Sequence, residues 1–167
     1  MPLLFSGEMP MNFTIRPARS VEDMRAAAEL MAAYAASLPV DLAYQDFNSE
    51  LESLPGKYAP PKGELFMAWD KTGVPLACVA LRPLSSRCCC EMKRLFILPN
   101  ARGLGLGEAL TERVIEAARA MGYQELRLDT LPTMEAAIHL YKAAGFRRIE
   151  AYYEPTPPGT IFMGLAL

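Results

Sequence analysis

Residues 94–108 constrain this chain more than any other stretch. The apolar, strand-forming run Arg94-Leu-Phe-Ile-Leu-Pro99 stops at a proline. Asn100-Ala-Arg102-Gly103-Leu104-Gly105-Leu106-Gly107-Glu108 then sets three alternate glycines against the start of a helical pattern. A strand, a glycine loop and a helix N-terminus in that order make a cradle for a phosphorylated ligand. Glycine lets the main chain come close, and the first-turn N–H groups have no intrahelical partner. The helix dipole adds partial positive charge at the same place, so backbone alone can hold a pyrophosphate.

Two common nucleotide loops do not fit. A Walker loop needs lysine after its last glycine, and Glu108 stands there. The dinucleotide fingerprint needs a third glycine where this chain has Glu108 or Leu110. Asp129, at the end of the next expected strand, could serve as a ribose-binding acid, but the missing glycine outweighs it. What fits is Arg/Gln-x-x-Gly-x-Gly/Ala, read here as Arg102-Gly103-Leu104-Gly105-Leu106-Gly107. In this the chain resembles the acyl-CoA loop of the GNAT superfamily of N-acetyltransferases.

Length and composition bound the rest. A chain of 167 residues suits one domain, expected over 12–167 behind a loose leader at 1–11. It is 51% hydrophobic and 22% charged, which argues against disorder, and a net charge of −2 gives no electrostatic case for nucleic acid or an anionic membrane. No apolar stretch approaches the length of a membrane span, and the opening residues lack a signal peptide's cation and apolar core, so a cytoplasmic protein is expected. Cys78 and the run Cys88-Cys89-Cys90 have no Cys-x-x-Cys spacing, and His139 is the chain's one histidine, so no metal is expected. Small strand residues in a reducing compartment account for the thiols.

Hydrophobic periodicity predicts a strand at 12–16 and a helix from Ser20 whose apolar positions are Val21, Met24, Ala28, Met31 and Ala35. A second helix is expected over 41–53, then a meander of strands at 64–69, 74–81 and 88–98. A helix at 105–121, a strand at 126–130, a helix from Thr133 to about Ala144 and closing strands at 146–152 and 160–167 complete the order. This is the GNAT order. A second family signal is Ala137-Ile-His-Leu-Tyr-Lys-Ala-Ala-Gly-Phe146, which looks like the signature Ala-x-x-Leu-Tyr-x-x-x-Gly-Phe. The resemblance covers residues 12–167 and implies a mixed α/β (α+β) fold, with about seven strands in a central sheet and about four helices. Met134 departs from it, standing where many members carry a cofactor-binding asparagine.

The resemblance implies acetyl transfer from acetyl-CoA to a primary amine of a small molecule or peptide, by direct attack in a ternary complex. The cofactor would be held by Leu95, Phe96 and Ile97 through the main chain and by Arg102, Gly103, Leu104, Gly105, Leu106, Gly107 and Tyr141. In the family the fourth and fifth strands part to admit the pantetheine arm, and Pro99, which cannot donate to a ladder, is the expected place. Tyr141 matches the tyrosine that protonates the leaving thiolate, the alternative being an ordinary core tyrosine. Glu91 stands where some members carry a base. Period two would put Glu91, Lys93, Leu95 and Ile97 on one face, although a solvated outer-face charge is the alternative. His139 is expected on another helix face from Tyr141. Segments carrying Tyr34, Tyr44, Asp46, Phe47, Glu50, Tyr152, Tyr153 and Glu154 would cover the acceptor, whose identity the sequence does not choose. A homodimer stays open. The reading from another class is a non-catalytic acyl-CoA-binding module that senses the ligand.

Overall fold

The computed structural model describes residues 12–167, and the leader expected over 1–11 lies outside them. Within them the chain builds one seven-stranded sheet and four α-helices. In chain order these are β1 (Phe13–Pro17), α1 (Val21–Ser37), α2 (Phe47–Glu52), β2 (Glu64–Asp70), β3 (Pro75–Pro83), β4 (Cys89–Ile97), α3 (Leu106–Ala120), β5 (Glu125–Thr130), α4 (Glu135–Ala143), β6 (Arg147–Arg148) and β7 (Ile161–Ala166). The spatial order is β1-β2-β3-β4-β5-β7-β6, every neighbouring pair antiparallel except β4 with β5. One core cluster joins the sheet to α3 and to Tyr141 of α4, through Leu106, Leu110, Val114, Leu126 and Leu128. The other packs Ala27, Leu30 and Met31 of α1 and Phe47 of α2 on Met67, Cys78 and Phe96.

The start of α1 shows why it sits as it does. Ser20 accepts from Asp23 N–H, and the Asp23 carboxylate accepts from Ser20 N–H, a capping box. Asp23 also takes both terminal nitrogens of Arg16, at 2.9 and 3.0 Å, and Arg19 N–H at 2.9 Å. This turns Asp23 inward and rotates the helix. The buried stripe is Asp23, Ala27, Leu30 and Met31, and Val21, expected inward, is 71% exposed. The hydrogen bond from Arg16 leads the effects that outweigh burial and hold the Asp23 carboxyl well below the usual carboxylate range. Asp23→Asn is therefore expected to destabilise the fold by about 1–3 kcal/mol, by weakening a cap and a charge-assisted pair. The sign follows from the lowered value. Asp23 contributes fully above the unfolded carboxyl value of about 3.9 and loses its contribution as pH falls below it. Urea melts of parent and variant should thus converge at low pH.

Two further departures from the sequence-based reading matter for the site. The helix expected over 41–53 is broken into a 3-10 turn, Leu42–Gln45, and the short α2, because Asp46 between them is left-handed at φ 56°. The break turns Gln45 and Glu50 onto the sheet, where Arg94 bonds to both. The strand expected over 146–152 is a strand only at Arg147–Arg148, with one further bond from Ile149 N–H to Phe162, and the chain then leaves the edge so that Tyr152 and Tyr153 meet β5-side residues.

Candidate active site

Strands β4 and β5 pair over only three positions, Cys89–Glu91 against Glu125–Arg127, and then part. The parting begins at Glu91, well before Pro99, so proline is not its cause. The register of β3 with β4 shifts by one residue between Cys78↔Phe96 and Ala80↔Lys93, and Arg94 lies there at φ 62°. This is a β-bulge, which bends its strand and sharpens the twist. A left-handed non-glycine residue costs about 1–2 kcal/mol, and Arg94 is held in place by its side chain. It is buried, doubly bonded to Glu50 at 2.9 and 3.1 Å, bonded to Gln45 at 2.7 Å and set over the Phe47 ring.

The bulge also reverses the side-chain alternation. Leu95 and Ile97 pack toward the α3 core with Cys90 and Met92, whereas Phe96 packs with α1 and α2. Glu91 and Lys93 face the side of Gln45, Arg82 and Tyr152. The expectation that Glu91, Lys93, Leu95 and Ile97 share one face is thus corrected.

On the parted edge, Leu98 N–H donates to Leu76 of β3 at 2.9 Å. By alternation along the strand, Leu95 and Ile97 turn their N–H groups to the gap. A groove of about 480 Å³ runs along it, lined by Leu95, Phe96, Ile97 and Arg102 on one side and Met134 and Leu140 on the other. The groove leads toward the glycine loop. Gly103 and Gly105 have φ of 84° and 81°, and a Cβ on either would meet nothing within 4 Å, so this backbone is open to a ligand. Gly105 is the N-cap of α3 and has no side-chain cap, so the first-turn N–H groups of α3 remain available. Gly107 is a packing glycine, since a Cβ there would stand 3.1 Å from Leu140 and 3.3 Å from Ile97.

Deeper in the gap, Tyr34, Lys93, Asp129, Thr130, Met134 and Tyr141 converge. Burial pushes the Tyr141 phenol well above its ordinary value, and that of Tyr34 up to about 12. Gln45 links the groups around the gap. Its carbonyl accepts from Lys93 at 3.1 Å and Arg94 at 2.7 Å, and its amide donates to the hydroxyls of Tyr44 at 2.8 Å and Tyr153 at 3.1 Å. Two cationic donors on one oxygen fix the orientation of that amide. Tyr153 in turn donates to Asp129.

The Glu91 and Asp129 carboxyls shift in opposite directions. Burial alone would raise the Glu91 carboxyl, but Lys93 at 3.7 Å, Arg82 at 2.8 Å and the Tyr152 hydroxyl outweigh it and hold it low. Burial raises the Asp129 carboxyl, Glu91 adds to the rise, and Lys93 and Arg94 oppose it without cancelling it. Burial likewise lowers the Lys93 ammonium. The two carboxyls are thus shifted apart, Glu91 downward and Asp129 upward, a contrast found where acid–base chemistry is done.

The family model described as "Acetyltransferase (GNAT) family" matches residues 27–146. The chain belongs to the GNAT acetyltransferase family. An uncharacterised N-acetyltransferase of Schizosaccharomyces pombe is 37% identical, over 95% of this chain and 97% of that protein. The structure of a GNAT-family acetyltransferase from Staphylococcus aureus shares the fold with a TM-score of 0.77, at 18% identity, over 92% of this chain and 98% of that one. A phosphinothricin acetyltransferase from Sinorhizobium meliloti, solved in complex with AcCoA, superposes with a TM-score of 0.69 at 18% identity, covering 94% of this chain and 89% of that one.

In this acetyltransferase the structure brings Leu95, Phe96, Ile97 and Arg102, the residue that opens the glycine loop, to one groove, and places Tyr141 in the adjoining cleft that shares Tyr34, Leu95 and Met134 with it. Glu91 is not part of that groove; it lies fully buried under Tyr152, on the sheet face away from Leu95 and Ile97. His139 is exposed on α4, as its helical offset from Tyr141 predicts. Cys88 is exposed in a left-handed turn, while burial raises the thiols of Cys78 and Cys90 to about 12, so the buried pair is inert toward nucleophilic chemistry. Sequence reasoning missed Gln45, Lys93 and Arg94 as site residues. It met Asp129 only as a ribose-binding acid, a role that falls with the dinucleotide reading. Their signal was available in part, since each is a polar residue inside an otherwise apolar strand or turn.

Among the described residues, no helix is long and apolar enough to cross a membrane.

Proposed function

We propose that this acetyltransferase moves the acetyl group of acetyl-CoA to a primary amine of a small molecule or peptide, by direct attack in a ternary complex. The observation that carries the reading is the gap between β4 and β5, in which the Tyr141 phenol and the Asp129 carboxyl line one cleft on the same strand edge that leads to the open glycine backbone. The fit to acetyl-CoA rests on Gly103 and Gly105, whose exposed main chain and uncapped helix end suit a pyrophosphate. Arg102 adds a cation at the groove mouth. The N–H groups of Leu95 and Ile97 suit the amides and carbonyl of a pantetheine arm. When bound, acetyl-CoA supplies the thioester carbonyl that the amine attacks.

The chain's own groups then handle two protons. A C–N bond forms as the C–S bond breaks, the amine gives up a proton and the departing sulfur gains one. We assign the first transfer to Asp129, whose raised carboxyl lines the gap. Tyr153 and Gln45 position it, and an acceptor amine would replace the Tyr153 hydroxyl as its donor. Glu91 is the other acidic candidate. Both its oxygens are engaged, by Arg82 and Tyr152, so its assigned part is to stay charged and hold Lys93 and Arg82 in place. Tyr141 is assigned the second transfer. Its phenol is a weak acid in this buried place, and a thiolate expelled into the same place is a correspondingly stronger base.

The test combines binding with turnover. Calorimetry should show acetyl-CoA bound by the parent and lost in Gly105→Val, in which a branched side chain is forced to positive φ in the cradle. An acetyl-CoA-dependent thiol-release screen over mixed amines should show turnover. Tight cofactor binding with no turnover on any amine would replace the enzyme reading by the sensing module.

A further inference from the structure

A second cavity, of about 490 Å³, lies beside the gap on the face of the sheet that carries Glu91. It is lined by Lys57, Arg82, Arg127, the Ser85–Ser86 turn and the tyrosine pair 152–153. The lining holds three cations and no carboxylate. Partner carboxylates at its edge consume only part of this charge. Glu91 takes Arg82 through Nε, which leaves the two terminal nitrogens of Arg82 without an ion-pair partner among the described residues. Glu125 takes Nε and Nη2 of Arg127, leaving Nη1. Lys57 is exposed and makes no salt bridge among the described residues. The Arg127 guanidinium is also steadied over the Tyr152 ring, 5.3 Å from its centroid. Such a cavity presents preorganised forks to an anion.

The register relates this cavity to the proposed base. Arg82, Glu91 and Arg127 form one row across β3, β4 and β5. Asp129 stands two residues farther along β5 on the same face, about 7 Å by strand rise. Tyr153 lines the cavity and also bonds to Asp129, so one side chain separates the two sites.

We propose that this cavity takes a carboxylate of the acceptor, which is a small amino acid with its amine at Asp129 and its carboxylate at Arg82, Arg127 and Lys57. The spacing selects a carboxylate several carbons from the amine, as in an ω-amino acid or the side chain of an acidic amino acid. The proposal rests on the acetyl-transfer reading above, and it adds the acceptor class. The bond changes are those already given, because the carboxylate takes no part in them.

The experiment uses matched pairs that differ in charge: γ-aminobutyrate against butylamine, and glutamate against glutamine. The carboxylate member of each pair should show a kcat/KM higher by roughly tenfold to a hundredfold, as for a charge-assisted hydrogen bond. Arg127→Gln and Lys57→Gln should erase most of that difference by raising KM for the carboxylate member alone. Lys71→Gln, in the β2–β3 turn, should leave it intact. Equal kcat/KM within both pairs, or losses in the variants shared by both members, would overturn the proposal while leaving acetyl transfer standing. If no acceptor turns over, the acetyl-transfer reading fails and calorimetry decides the cavity. Binding of γ-aminobutyrate to the CoA complex, lost in Arg127→Gln, supports an amino-acid site. No such binding overturns it.

Discussion

Asp129→Asn is expected to lower kcat/KM by about a hundredfold or more, and Glu91→Gln by much less. General-base catalysis contributes about 10²–10⁴-fold, and only a group that accepts the amine proton in the transition state commands that range. Asn keeps the shape of Asp129 and can still accept from the Tyr153 hydroxyl, so folding should survive. The pH profile carries the sign. A base must be ionised, so the parent's kcat/KM should fall as pH drops through the Asp129 carboxyl. Burial places that limb above the ordinary carboxylate value of about 3.9. The limb should vanish in Asp129→Asn and persist in Glu91→Gln. The opposite pattern, with the limb lost from Glu91→Gln and Asp129→Asn within a few-fold of the parent, would return the base to Glu91.

Tyr141→Phe is expected to cost on the order of a hundredfold in kcat and in kcat/KM alike. The ring packs beside Phe146 at 5.8 Å between centroids and belongs to the α3 core cluster, so removing the hydroxyl leaves the packing in place. Acetyl-CoA affinity and thermal stability should therefore hardly change. A proton donor to sulfur matters as the C–S bond breaks, so its loss should appear in the transition state and not in binding. Steady-state kinetics showing nearly parental kcat in Tyr141→Phe would leave this tyrosine with packing alone, and Tyr34, which also lines the gap, would be the next phenol to remove.

The parts of the site that were legible in the sequence are those built from contiguous residues. The glycine loop declares itself over the six positions 102–107 and the α4 signature over the ten positions 137–146, because local backbone geometry demands glycine or a helical stripe there. The remainder depends on contacts between distant segments. Gln45 joins residues 93, 94 and 153, and it reaches them only because Asp46 breaks a helix that periodicity draws as continuous. The faces of β4 were misread for a similar reason. Alternation is reliable only without a bulge, and the bulge is stabilised by Glu50, Gln45 and Phe47, none of them near in sequence. The buried stripe of α1 was displaced by an ion pair with Arg16, which a pattern of apolar residues cannot register.

The extra residue at Arg94 also divides the labour along β4. Before it, odd-numbered positions carry the polar groups beneath the tyrosine pair; after it, odd-numbered positions border the groove between β4 and α4. On the reading proposed above, substitutions at 91 and 93 would act on the acceptor side without disturbing the edge that presents Leu95 and Ile97. The same reading would leave the two ends of a single strand free to diversify independently, one keeping a common cosubstrate while the other explores new acceptors. Straightening the bulge with Arg94 kept in the ladder would couple them again, because plain alternation would turn Leu95 and Ile97 onto the face of Glu91 and Lys93.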